Sequence, residues 1–226
     1  MSHPLDRPAW NALHTAHAAL AEGNDLARRY PTTIVPFAAT ADNGMESLNA
    51  LSSLIAANET AALVEAGPVV VPPPFDVVTE GILVQMTADR PHARITDSRL
   101  ELLTAADAEE MLALAMLTKP GPFTLGAQTL GAFWGVKIDG KLVAMAGQRM
   151  RVPGYIELSG LCTHPDFQGR GLGALLFRYV AGEIAAREEI AFLHAFSTNT
   201  PAIRLYEKLG FSIRAEMNLR VVKRQT

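Results

Sequence analysis

Along the chain, short apolar runs alternate with apolar stripes of helical spacing, and the pattern sharpens after residue 100. Leu100-Glu101-Leu102-Leu103 predicts a strand, and Thr104 predicts the cap of a helix over 105–117. Lys119-Pro120-Gly121-Pro122 ends that helix, and 123–131 predicts a loop. Apolar runs at 132–138 and 141–146 flank Asp139-Gly140, a dipeptide that favours a tight hairpin. After a turn over 149–154, the apolar run 155–163 predicts a buried strand closed by His164-Pro165. Leu172, Leu175, Leu176, Tyr179, Val180 and Ile184 then fall on one helix face. A strand over 190–196 follows. Pro201 and Gly210 frame a short helix, and 211–222 predicts the closing strand. That order predicts an α/β (α+β) fold: a mixed, mostly antiparallel central sheet with helices on both faces.

The first ninety residues are less regular. Trp10, Leu13, His17 and Leu20 predict a helix after Pro8 that ends near Gly23. A second helix is predicted over 46–57 and a short strand over 60–66. Pro72-Pro73-Pro74 breaks the chain, and 75–87 predicts two strands around Gly81. The reading therefore divides the chain into a smaller mixed N-terminal segment, 1–92, and a main domain, 93–226. The segment either extends the main sheet, builds a homodimer contact, or forms a degenerate copy of the main domain.

Composition narrows the function. A 226-residue chain that is 49% hydrophobic can bury a core. A formal net charge of −3 offers no basic field for nucleic acid. One cysteine excludes an internal disulfide framework, and no apolar run reaches membrane-spanning length. The N-terminus lacks the basic and apolar regions of a signal peptide. A soluble, cytoplasmic protein is the expectation.

The chemistry concentrates in Gln168-Gly169-Arg170-Gly171-Leu172-Gly173, between the 155–163 strand and the following helix. Glycines there let backbone N–H groups converge on a ligand, the helix N-terminus adds its positive dipole end, and Arg170 adds a charge. That arrangement suits a pyrophosphate. A phosphate-binding Gly-Lys-Ser/Thr is absent. Gly169-x-Gly171-x-x-Ala174 fits the dinucleotide fingerprint in form only. Its acidic partners Glu188 and Glu189 precede the next strand rather than end it, and too little chain follows for a doubly wound domain.

Gln-x-x-Gly-x-Gly, followed by Asn199 and by Ala202-Ile203-Arg204-Leu205-Tyr206-Glu207-Lys208-Leu209-Gly210-Phe211, resembles the GNAT superfamily of N-acetyltransferases. The likeness covers roughly residues 100–220. It implies acetyl-coenzyme A as co-substrate, no metal, and direct transfer to a primary amine of a small molecule or peptide. It implies that Gln168, Gly169, Arg170, Gly171, Leu172, Gly173 and Ala174 hold the pyrophosphate. It also implies a splay between two central strands, so that the backbone of Leu161, Cys162 and Thr163 meets the pantetheine, with the amide of Cys162 or its neighbour donating to the thioester oxygen. Asn199 and Ala202 join this binding set, Asn199 being equally suited to cap its helix. Tyr206 is implied as the general acid and Glu157 as the candidate base. Arg149 and Arg151 read either as partners of an acidic acceptor or as surface charges. Phe123 and Trp134 read either as pocket walls or as core. A non-catalytic acyl-coenzyme A sensor, and transfer of longer acyl groups or to oxygen, are the competing readings.

Overall fold

A computed structural model describes residues 3–226. Its main sheet has eight strands: β4 (Thr60–Glu65), β5 (Phe75–Ala88), β6 (Leu100–Leu103), β7 (Phe133–Ile138), β8 (Lys141–Val152), β9 (Tyr155–Thr163), β10 (Ile190–Phe196) and β11 (Phe211–Arg224). They lie in the order β4-β11-β5-β10-β9-β8-β7-β6. Every neighbouring pair is antiparallel except β9 and β10. A separate three-stranded sheet, β1 (Glu22–Gly23), β2 (Ala27–Arg29) and β3 (Ala38–Thr40), stands beside its β4 edge.

Alternation along the strands sorts the side chains into two faces. Ile156 and Leu158 of β9 and Ala191, Leu193 and Ala195 of β10 join one core with Leu176, Phe177, Val180 and Ile184 of helix α4 (Leu172–Ala185). Leu209 and the half-buried Tyr206, from helix α5 (Thr200–Lys208) and its end, complete that core. On the other face Met150, Val152 and Phe192 pack with Ala9, Ala12 and Leu13 of helix α1 (Pro8–His14). Further along it, Met145 and Cys162 pack under helix α3 (Ala108–Thr118). The expected mixed sheet with helices on both faces is the observed one.

The N-terminal segment is woven into this sheet. Sequence patterning divides 75–87 at Gly81, yet β5 is one fourteen-residue strand. It pairs with β11 along its whole length, and the ladder carries the chain through Gly81, whose bare Cα lies under the ring of Phe196. On its other side β5 pairs with β10 from Leu83 to Thr87. The 92/93 division thus falls in the β5–β6 crossover, next to a strand in the middle of the main sheet. Helix α1 is shorter than its apolar stripe predicts. It ends at His14, and the Asn24 side chain accepts the amides of Leu26 and Ala27 to build the β1–β2 turn. Helix α2 (Met45–Leu54) covers the small sheet, and Thr104 caps a short 3-10 turn that leads into α3. No helix among the described residues is long and apolar enough to cross a membrane.

With β5 inside the sheet, the two parts of the chain should unfold together. The two tryptophans sit one in each part, Trp10 on α1 and Trp134 on β7. Single-tryptophan variants, each with the other Trp replaced by Phe, are expected to give coincident urea midpoints. Two separated midpoints would show independent units.

Candidate active site

The site forms where β9 and β10 part. Their parallel ladder lasts three residues, Tyr155–Glu157 against Ile190–Phe192, and then stops. Beyond that point β9 stays with β8 while β10 stays with β5. A wedge opens between them, with an unpaired strand edge on the β9 side.

Peptide planarity identifies the groups on that edge. His164 donates its amide to the Val143 carbonyl, so Thr163 and Ala144 form a pair that faces away from each other, and Cys162 faces Met145. The N–H and C=O of Thr163 and the C=O of Leu161 therefore turn toward the wedge. The Cys162 amide turns toward β8. A bulge at Gly160, with φ of +64°, sets this phase. A side chain at Gly160 would collide with the ring of Phe133 as well as force the left-handed backbone.

The glycine turn sits at the end of this edge. Gly169 and Gly171 both have φ of +75°, and no atom lies within 4 Å of where their Cβ atoms would stand, so the turn presents bare backbone to the exterior. Gly171 is the N-cap of the fourteen-residue α4, and no side chain caps the helix. Its first-turn N–H groups, with Leu172, Gly173 and Ala174 among them, are left for a ligand. Gln168 reaches back to the Thr163 carbonyl at 3.5 Å. Arg170 is exposed, lies 4.7 Å over the Phe167 ring and donates to the Asp166 carbonyl at 3.3 Å.

Tyr206 is half-buried on α5, stacked on Phe177 with centroids 5.4 Å apart. Burial raises its pKa, which keeps the phenol protonated and able to donate. Among the described residues its hydroxyl makes no hydrogen bond. Asn199 accepts the Ala202 amide at 3.3 Å, so its side-chain oxygen serves as the helix cap.

Glu157 lies in a different setting from the one expected of a base. It is fully buried on the α1 face. Arg149 grips it through two hydrogen bonds of 2.8 and 2.7 Å, and His194 Nδ1 lies 2.8 Å from Oε1. Burial alone would raise its pKa, but the Arg149 charge and these hydrogen bonds outweigh that and hold the carboxyl below its ordinary range. A carboxylate so held is weakly basic and has little freedom to take a proton. Arg149 is thus neither a surface charge nor free for an acidic acceptor. Arg151 is half-exposed and pairs with Glu189 at 2.9 Å. The Cys162 thiol is buried and pushed up to about 11, so it is not a nucleophile at neutral pH.

Sequence reasoning missed His194 and Gln85. Gln85 is fully buried; its amide donates to the Leu5 carbonyl at 3.0 Å and to His194 Nε2 at 2.9 Å. Arg214 donates to Gln85 Oε1 and, at 2.9 Å, to Asp6. The Gln85 carbonyl is thereby committed to Arg214, its NH2 faces His194 Nε2, and His194 Nδ1 faces Glu157. A polar residue at an inward position of an otherwise apolar strand was the available signal at both places.

The family model described as FR47-like protein matches residues 134–221. A protein from Novosphingobium aromaticivorans, described as an acetyltransferase of the GNAT family, superposes with a TM-score of 0.93 at 42% identity, covering 100% of both chains. A GCN5-related N-acetyltransferase from Kribbella flavida shares the fold, with a TM-score of 0.63 at 17% identity over 94% of this chain and 93% of its own. The [ribosomal protein bS18]-alanine N-acetyltransferase of Salmonella typhimurium is 39% identical over 56 residues, which is 24% of this chain and 38% of that relative.

The buried Glu157 pair generates a stability test. Glu157→Gln leaves Arg149 buried without its counter-charge and is expected to cost about 3–5 kcal/mol at neutral pH. Because folding lowers this pKa, the wild-type stabilisation is complete above the ordinary carboxylate range and is lost as pH falls below it. Urea titrations across acidic pH should show a shallower decline for the variant. Parallel declines would contradict the assignment.

Proposed function

Since the chain belongs to the GNAT family of acetyltransferases, we propose that it transfers an acetyl group from acetyl-coenzyme A to a primary amine of a small molecule or peptide, by direct attack in a ternary complex. The observation that carries this reading is the unpaired β9 edge running into an uncapped, glycine-lined helix N-terminus. The wedge offers a pantetheine amide the partners a neighbouring strand would have supplied. The residues fit the co-substrate: Thr163 and the Leu161 carbonyl would bond the pantetheine, and the Gln168–Ala174 turn would take the pyrophosphate. Acetyl-coenzyme A supplies an activated thioester. The chain's part is to place that thioester and to handle protons and charge.

Tyr206 would protonate the leaving thiolate, and its desolvated phenol suits a donor rather than an acceptor. The amide that would steady the thioester oxygen falls to Leu161, at the bulge and out of register with β8, because Cys162 is turned to β8. Glu157 would not act as the base. It would hold His194 and Arg149 in place at the apex of the wedge, and the amine would lose its proton to water. Asn199 and Ala202 would border the pantetheine from the start of α5, with the Asn199 oxygen spent on the cap.

Two variants separate the donor site from the chemistry. Gly171→Glu puts a carboxylate where the pyrophosphate would lie and requires φ of +75° of a residue with a Cβ, so calorimetric binding of acetyl-coenzyme A should be abolished. Tyr206→Phe should keep that binding and lose about 100-fold or more in kcat, read as released thiol. Wild-type protein that folds but binds no acetyl-coenzyme A would overturn the proposal. Unchanged kcat in Tyr206→Phe would remove the acid role, and acetyl-coenzyme A binding by wild-type protein with no thiol released to any amine would favour a sensor.

A further inference from the structure

A cavity of about 400 Å³ lies on the α1 and α3 side of the sheet, between residues 58–60 and 122–124. It is within the size range of small-molecule sites. Phe123 ties it to the wedge. Its ring lines the cavity, packs edge-on against Phe133 at 5.6 Å, and lies 3.7 Å from where a Cβ on Gly160 would stand. The rings of Phe123 and Phe133 therefore stand between the cavity and the bulge of β9, on the face opposite α4. A donor held at the glycine turn and an acceptor held in this cavity would meet at the bulge from opposite sides.

The lining mixes polar Thr32, Asn58, Glu59, Thr60 and Thr124 with apolar Pro36, Pro122 and Phe123. Glu59 is the one charged side chain among them. Its Oε2 takes both the Ala56 amide at 2.9 Å and Arg29 at 2.6 Å, which leaves Oε1 outside both bonds. Arg29 also binds Glu22 at 2.8 Å, so a single guanidinium is shared by two carboxylates. The hydrogen bond from Ala56, with Arg29, lowers the Glu59 pKa and keeps it ionised. The neighbouring cation, Arg149, lies 3.9 Å from a Cβ position on Gly121, but Glu157 neutralises it from beneath.

We propose that this cavity is the acceptor site and that Glu59 selects a primary amine carrying a second positive charge. The inference rests on the acetyl-transfer reading and adds a substrate class to it: the amine to be acetylated points past Phe123 to the bulge, and the second cation sits against Glu59.

Three amines of similar length test it: cadaverine with two ammonium groups, pentylamine with one, and aminocaproate with a carboxylate in place of the second. With saturating acetyl-coenzyme A, kcat/KM for cadaverine is expected to exceed that for pentylamine about fivefold, with aminocaproate lowest, as one partly exposed ion pair implies. Glu59→Gln should bring cadaverine down to the pentylamine level and leave acetyl-coenzyme A affinity unchanged. A preference for aminocaproate, or a cadaverine advantage that survives in Glu59→Gln, overturns the proposal. Amide NMR shifts of Asn58, Glu59 and Thr60 in wild-type protein, read with cadaverine and again with aminocaproate, stand independently of turnover. Larger shifts with cadaverine are expected, and equal or absent shifts overturn the site. Failure to bind acetyl-coenzyme A sinks the donor reading instead, and these shifts would not be affected by it.

Discussion

The early end of the β9–β10 ladder is the constraint on which the rest of this molecule depends. A buried backbone group needs a partner, and a strand edge left open inside a sheet is tolerated only where something else will fill it. Here the two strands separate because each has a stronger claim on it from the far side. β8 holds β9 through the bulge to Thr163, and β5 holds β10 from Phe192 to Phe196. The wedge is thus a product of topology. The N-terminal segment, which carries none of the motif residues, supplies the strand that draws β10 away.

At the apex of the wedge the chain places charge where an ordinary core would be apolar. Glu157 marks the last paired position, and His194, two residues past its partner Phe192, reaches across the opening to it. From there hydrogen bonds run through Gln85 and Arg214 to Asp6 on one side and through Arg149 on the other. Arg149 lies 4.9 Å over the ring of Phe37, which itself bridges to Ala62 of β4. A largely buried network of this kind costs desolvation, the more so because one nitrogen of Arg214 is left without a partner among the described residues, and it returns geometry by holding Glu157, His194 and Gln85 in one arrangement. It links the apex of the wedge to Phe37 and, through it, to β4.

Much of this was legible in the chain. The hairpin at Asp139-Gly140, the β9 and β10 runs, the α4 stripe and the glycine turn all follow local rules, and each formed where local rules put it. The fold class followed from their order. The place of β5 did not, because pairing partners far apart in sequence leave no local trace. Gly81 read as a break for the same reason: its role is set by Phe196, more than a hundred residues away. At the site, the turn and Tyr206 were visible as motif residues. Glu157 was visible as well, but its surroundings were not. Spacing cannot tell a carboxylate facing a substrate from one clamped by Arg149, and only the fold brings His194 and Gln85 beside it. The phase of the open edge was hidden too, since it depends on a bulge that shifts the amides of β9 by one residue.

Amide hydrogen exchange at Thr163 and Cys162 tests the central claim most directly. The two residues are adjacent, yet one amide faces the wedge and the other faces β8. The Thr163 amide should exchange quickly in the free protein and become protected when acetyl-coenzyme A saturates it, while Cys162 stays protected throughout. A Thr163 amide that is already protected without co-substrate, or that acetyl-coenzyme A leaves unchanged, would contradict the account of the open β9 edge as the donor site.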